Sequence, residues 1–147
     1  MPARHEDWLK QAERDVEHAR HAVEHREFEW ACFAAQQAAE KALKALYQIL
    51  EGEGWGHSVT KLLEQLPASH TPDSRLVEAG MRLDKLYIPT RYPNGFDVGA
   101  PMDYYTEAEA QEAIDDAQAI LSFVRSQMAG STSGDRGSET GGTPPAP

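Results

Sequence analysis

The chain has a single cysteine, Cys32, among 147 residues, so no intrachain disulfide can form. No stretch approaches the ~18 consecutive apolar residues that a membrane span needs. Met1 to Asp7 leads into no apolar signal region. The expectation is a cytoplasmic protein with no membrane partner. Also missing are a Walker loop, a dinucleotide glycine motif, a nucleophile elbow and a cysteine pair, so no cofactor is expected. Positive charge is scarce: the formal net charge is -10, and the first 128 residues carry 13 Lys+Arg against 22 Asp+Glu. A generic nucleic-acid coat needs a basic stripe. Any polyanion must therefore meet a local cluster, such as one built by two subunits. An acidic surface equally suits a basic partner protein.

What remains is strongly helical, and no segment alternates convincingly as a strand. From about His5 to Glu24, the residues Trp8, Ala12, Val16, Ala19 and Val23 recur at three- and four-residue spacing, opposite a charged face. A second helix is expected from about Phe28 to Glu51, free of glycine and proline and stopped by Gly52-Glu53-Gly54. Its Ala31, Ala35, Ala38, Ala42 and Ala45 let a neighbouring helix come close, and Glu40 and Lys44 form a favourable i,i+4 pair. Ser58 caps a short third helix to Leu66. Thr71-Pro72 reads as the start of a fourth, running to about Tyr87 and weakened by Gly80. Residues 88–105, with three prolines, two glycines and four aromatics, form a structured loop of the kind that often carries function. Thr106 and Glu109 form a capping box opening a fifth helix to Met128. The reading is an all-α bundle of four to five helices over 1–128. A Gly/Ser/Thr/Pro-rich tail over 129–147 cannot bury enough surface to offset chain entropy and is expected to be disordered.

Few residues carry candidate chemistry. Cys32, in an apolar run, reads as a buried small hydrophobe. His18, His21 and His25 share one helix face, and the i,i+4 pair has chelating spacing. The surrounding glutamates and arginines favour a solvated face, so no metal site is assigned. Gln37, Lys41, Lys44 and Gln48 form a polar row that is either the solvent side of the second helix or the wall of a phosphate groove. Arg91-Tyr92-Pro93-Asn94 is the sharpest feature. An arginine fork beside a rigid proline step could grip phosphate while the tyrosine stacks on a base. Alternatively Arg91 caps helix carbonyls and Tyr92 enters the core. His57, at the third helix's start, is a structural histidine or a proton carrier.

Phe33-Ala34-Ala35-Gln36-Gln37-Ala38-Ala39-Glu40-Lys41-Ala42-Leu43-Lys44-Ala45-Leu46 closely resembles the second-helix signature of HEPN domains. Gly56-His57-Ser58-Val59, Arg91-Tyr92-Pro93-Asn94 and Tyr105-Thr106-Glu107-Ala108-Glu109-Ala110 are similar to later family elements, in the same order. The resemblance spans roughly residues 5 to 128. It implies a five-helix bundle, roughly up-and-down, whose second and last long helices often make a homodimer, and pairing with a minimal nucleotidyltransferase, frequently as a toxin–antitoxin module. Many members are metal-independent ribonucleases, using an arginine followed, after four to six residues, by a histidine. Here the histidine would fall at Phe96, Asp97 or Val98, and no histidine follows His70. A carboxylate at Asp97 is a poor substitute as base.

The expected function is therefore a nucleotide- or RNA-binding module beside a nucleotidyltransferase, leaning away from an enzyme. The ligand residues would be Arg91, Tyr92, Lys41, Lys44, Gln37 and Asn94. One alternative is a metal-independent ribonuclease toxin with a rearranged site using Arg91 and His57. Another is an acidic bundle that only binds protein.

Overall fold

The computed structural model describes residues 4–141, with side chains for residues 4–130. Among the described residues there are five α-helices and no strand: α1 His5–Glu24, α2 Phe28–Ile49, α3 Val59–Glu64, α4 Ser74–Asp84 and α5 Glu107–Gly141. Short 3-10 turns lie at Ala68–His70, Pro93–Gly95 and Pro101–Asp103. None of these helices is long and apolar enough to cross a membrane, among the described residues. The backbone of α5 continues to Gly141, past residue 129 where the tail is expected to begin. Residues 142–147, with the side chains from 131 onward, lie outside the described residues.

The long helix α2 is the spine. Ala31, Ala35, Ala38, Ala42 and Ala45 are wholly buried, and α1 and α5 lie along it. With only methyl groups between backbones, helices approach closely and volume comes from neighbouring positions. Leu43, Leu46, Leu62, Leu63, Leu83, Ile114, Ile120, Leu121 and Val124 fill the interior.

Both α1 and α2 end in the same way. Arg26 N–H donates to Val23 O (3.0 Å) and Glu27 N–H to Ala22 O (2.8 Å), with Arg26 at φ 60°. Glu51 N–H donates to Gln48 O (3.3 Å) and Gly52 N–H to Tyr47 O (2.9 Å), with Glu51 at φ 58°. These are paired Schellman closures. The left-handed residue that ends α2 is thus Glu51, and not a glycine of Gly52-Glu53-Gly54.

The shorter helices depart from expectation in informative ways. Ser58 caps α3 as read, its Oγ accepting from Lys61 N–H at 3.1 Å. The start of α4 is not Thr71-Pro72. Thr71 Oγ1 donates to Ala68 O (2.8 Å), closing a 3-10 turn, and Asp73 is the cap, accepting from Leu76 N–H at 2.8 Å. α4 ends at Asp84, so Tyr87 lies in the turn beyond it. Asp84 is spent on α3: its carboxylate accepts from Ser58 Oγ (2.9 Å) and from the amides of Val59 (2.6 Å) and Thr60 (3.2 Å). That clamp fixes the two short helices to each other and sets the position of His57, one residue before the cap.

Candidate functional site

The chain beyond α4 coils through Tyr87 to Arg91 in helix-like turns. Thr90 Oγ1 donates to Leu86 O at 2.7 Å, and Arg91 Nε donates to Tyr87 O at 2.9 Å. Arg91 thus caps a carbonyl, as one reading of the sequence expects, but only through Nε. Its terminal guanidinium nitrogens make no hydrogen bond among the described residues. The group is packed by rings: Arg91 Cζ lies 4.3 Å from the centre of Phe33, 4.8 Å from Tyr87 and 5.2 Å from Tyr92. Stacking holds the planar fork while leaving its outer edge available, an arrangement suited to a phosphate or carboxylate. Tyr92 is 49% exposed, so the alternative that places it in the core does not hold. Asn94 lies exposed in the 3-10 turn that follows.

His57 joins this row. Its ring stacks on Tyr87 with centres 4.6 Å apart and planes at 17°. Nδ1 donates to Glu40 Oε1 at 3.1 Å, a carboxylate being an acceptor only. In the neutral imidazole this fixes Nε2 as the nitrogen with the lone pair. Glu40 is a buried hub on α2 that also accepts from Lys44 Nζ at 3.2 Å and Gln36 Nε2 at 3.4 Å. Gln36 Nε2 further holds His57 O at 3.1 Å, and Gln37 donates to Gln36 Oε1 at 2.8 Å. Gln37 is thus two bonds removed from the histidine.

The structure gathers some of the expected residues and separates others. Arg91 and His57 both pack on Tyr87, and Tyr92 joins through Arg91. Lys44 reaches the group only through Glu40, the pair anticipated from the i,i+4 spacing. Lys41 is drawn the other way, 2.6 Å from Asp15 on α1. Neither ammonium is a free charge beside Arg91, because each already faces a carboxylate. At the place where the family's ribonuclease motif would carry histidine, Phe96 stacks on Tyr104 at 4.1 Å. Three members of the cluster, Phe33, Tyr87 and Glu40, were not singled out from sequence as site residues. The signal was present in Tyr87 standing four residues before Arg91.

Other candidate groups are quiet. Cys32 is fully enclosed, and burial, reinforced by Glu109 and Glu29, pushes its thiol up to about 12. Nδ1 of His25 donates to His21 O at 2.9 Å, which uses one of the helix-one imidazoles on its own backbone.

The HEPN domain model matches residues 5–127. TT1696 from Thermus thermophilus, known from a crystal structure, is 47% identical, with a TM-score of 0.84 over 86% of this chain and 99% of that one. ST0689, described as an archaeal HEPN homologue, is 45% identical, with a TM-score of 0.74 over 87% and 99%. A candidate toxin of Methanocaldococcus jannaschii, MJ1304, is 23% identical over 80% of this chain and 84% of its own.

Proposed function

The chain belongs to the HEPN domain family, and from that premise we propose that it is a nucleotide- or RNA-binding member acting beside a minimal nucleotidyltransferase in a toxin–antitoxin-type pair. The observation that carries the binding half is Arg91. One nitrogen anchors the guanidinium to Tyr87 O, rings hold its faces, and its terminal nitrogens have no partner among the described residues. A preorganised fork of this kind loses little entropy on meeting phosphate. Tyr92 supplies an exposed ring at its side for a base. The pairing half, including a homodimer, rests on what the family resemblance implies and on the relative described as a candidate toxin.

Calorimetry with ATP, GTP and short single-stranded RNA tests the binding half. Arg91→Ala should weaken the productive ligand at least tenfold, since a charge-assisted bond is worth about 1.5–3 kcal/mol. Equal binding by both proteins, or none by either, removes the assignment. Co-expression with a minimal nucleotidyltransferase, taken from a neighbouring reading frame where one is found, followed by size-exclusion chromatography, tests the pairing. Separate elution of the two chains counts against it.

A second reading is favoured by the Glu40–His57 pair. A carboxylate that fixes the imidazole tautomer, leaving Nε2 as acceptor, with an arginine packed on the same Tyr87 ring, is a competent general base for a ribose 2′-hydroxyl. Metal-free cleavage of transfer RNA, lost in both His57→Ala and Arg91→Ala, would make the chain a ribonuclease with a rearranged site. Cleavage that neither substitution reduces would refute that assignment.

A further inference from the structure

Around Lys44 and Trp55 lies a second feature that the Arg91 row does not use. Trp55 is 78% exposed, the most exposed large apolar side chain among the described residues. It stands between Gly54 and Gly56, and Gly56 has φ +83°, a left-handed conformation that favours glycine. Trp55 borders a hollow of about 280 Å³ shared with Trp8, Lys44, Gln48 and Glu53. Lys44 Nζ lies 6.0 Å from the centre of the Trp8 ring, so the ammonium and the indole act on the same space.

An indole left in water forgoes a large burial gain, which makes it a contact waiting for a partner. The polar groups around the hollow say which kind. Gln48 Oε1 accepts from the Arg4 amide at 3.2 Å, which leaves the Gln48 amide nitrogen without a partner among the described residues. Glu53 likewise has none. An unspent donor and an unspent acceptor therefore line a hollow with two aromatic rings. Stacking faces together with hydrogen-bonding groups for a base edge are how proteins hold unstacked bases of single strands. The volume lies just below the ~300–1,000 Å³ of drug-sized ligand sites, suiting one base better than two. The hollow is also linked to the Arg91 row: Glu40 bonds both Lys44 and His57, and Gly56 precedes His57.

We propose that this hollow is a base subsite, in which one unstacked nucleobase of a single-stranded RNA rests against Trp55 and Trp8. Its edge is read by Gln48 and Glu53, while Lys44 faces the adjoining phosphate. Glu53, when ionised, only accepts, so bases with an exocyclic amino group are preferred over uracil. The inference rests on the reading of the chain as RNA-binding and assigns that RNA a second point of contact.

The test is a titration of the full chain with five-nucleotide oligomers of A, C and U, followed by anisotropy of a labelled strand. Circular dichroism confirms that each variant folds. Wild type should bind the A and C oligomers more tightly than U. Trp55→Ala should weaken them about tenfold or more, the scale of one base–aromatic stack. Trp55→Phe, which keeps a smaller ring, should fall between. Arg91→Ala should weaken binding separately, the two losses multiplying in the double variant. If Arg91→Ala abolishes binding while Trp55→Ala leaves it unchanged, the subsite is wrong and the Arg91 reading stands. If wild type binds none of the oligomers, both fall. If Trp55→Ala changes oligomeric state and not RNA affinity, the indole belongs to a protein contact and the subsite is wrong.

Discussion

Cys32 and Arg91 show how the same helix surface can silence one reactive group and hold another ready. Cys32 is enclosed among apolar side chains with Glu29 and Glu109 near enough to oppose a negative charge, and its pKa rises from 9.0 to about 12. The folded state therefore keeps a proton that the unfolded chain loses first. Stability associated with the thiol is intact below pH 9 and declines as pH climbs from 9 toward 12, by about 1 kcal/mol for each unit. Urea midpoints of wild type and Cys32→Ala, compared between pH 8 and pH 10, check this. The substitution should lower stability at pH 8 by leaving a small cavity, yet show a shallower loss on going to pH 10. An identical pH dependence in both proteins would show that the thiol ionises freely in the fold. Arg91, by contrast, is held by rings on its faces, and its terminal nitrogens have no partner among the described residues. Rings can therefore confine it without disabling it.

The helices repeat this balance between enclosure and exposure. Gly80 sits buried in α4 against α3. A Cβ there would come 3.0 Å from Leu63 Cδ1, 3.3 Å from the Thr60 nitrogen and 3.3 Å from Val59 Cγ1. Alanine in a helix interior normally gains up to about 1 kcal/mol over glycine. Here Val59 and Leu63 are fully buried and the Thr60 amide is clamped by Asp84, so none can move aside cheaply. Gly80→Ala should therefore lower the thermal midpoint, with a net cost of about 1 kcal/mol. A raised midpoint would mean that α3 rides freely on α4. The same glycine explains part of what sequence reading could and could not reach. Periodicity located α1 and α2 and the capping box at Thr106, because those signals are local. Gly80 looked like a weakness in a helix, since the close approach that requires it lies 20 residues away in sequence. The α4 start was misplaced because Thr71-Pro72 and Asp73 are both good caps, and only the 3-10 turn chooses between them. The site divides in the same way. Arg91 and His57 were legible as chemistry beside a proline step and a helix start. Their common contact with Tyr87 and the hub at Glu40 arise where α2 meets the segments before α3 and beyond α4, which no local pattern records.

Across the whole molecule, the acidic balance limits how the proposed RNA ligand could be held. With a net charge of -10, and with Lys41 and Lys44 each facing a carboxylate, few phosphates can be neutralised. Arg91 is the main cation with nitrogens to spare in the candidate site, and Lys44 adds a partly compensated second. For single strands, the logarithm of affinity falls with the logarithm of salt at about 0.7 per neutralised phosphate. One or two such contacts give a slope between about -0.7 and -1.4, far shallower than for a basic RNA-coating protein. In the proposed complex, stacking on Tyr92, Trp55 and Trp8 would supply the rest and be insensitive to screening. Anisotropy titrations between about 50 and 300 mM salt should show this shallow slope, and Arg91→Ala should flatten it by about 0.7. A slope steeper than about -3 would require about four cations, more than the one or two that the candidate site offers. It would point to a basic cleft completed by a second chain, with the rings subordinate to charge.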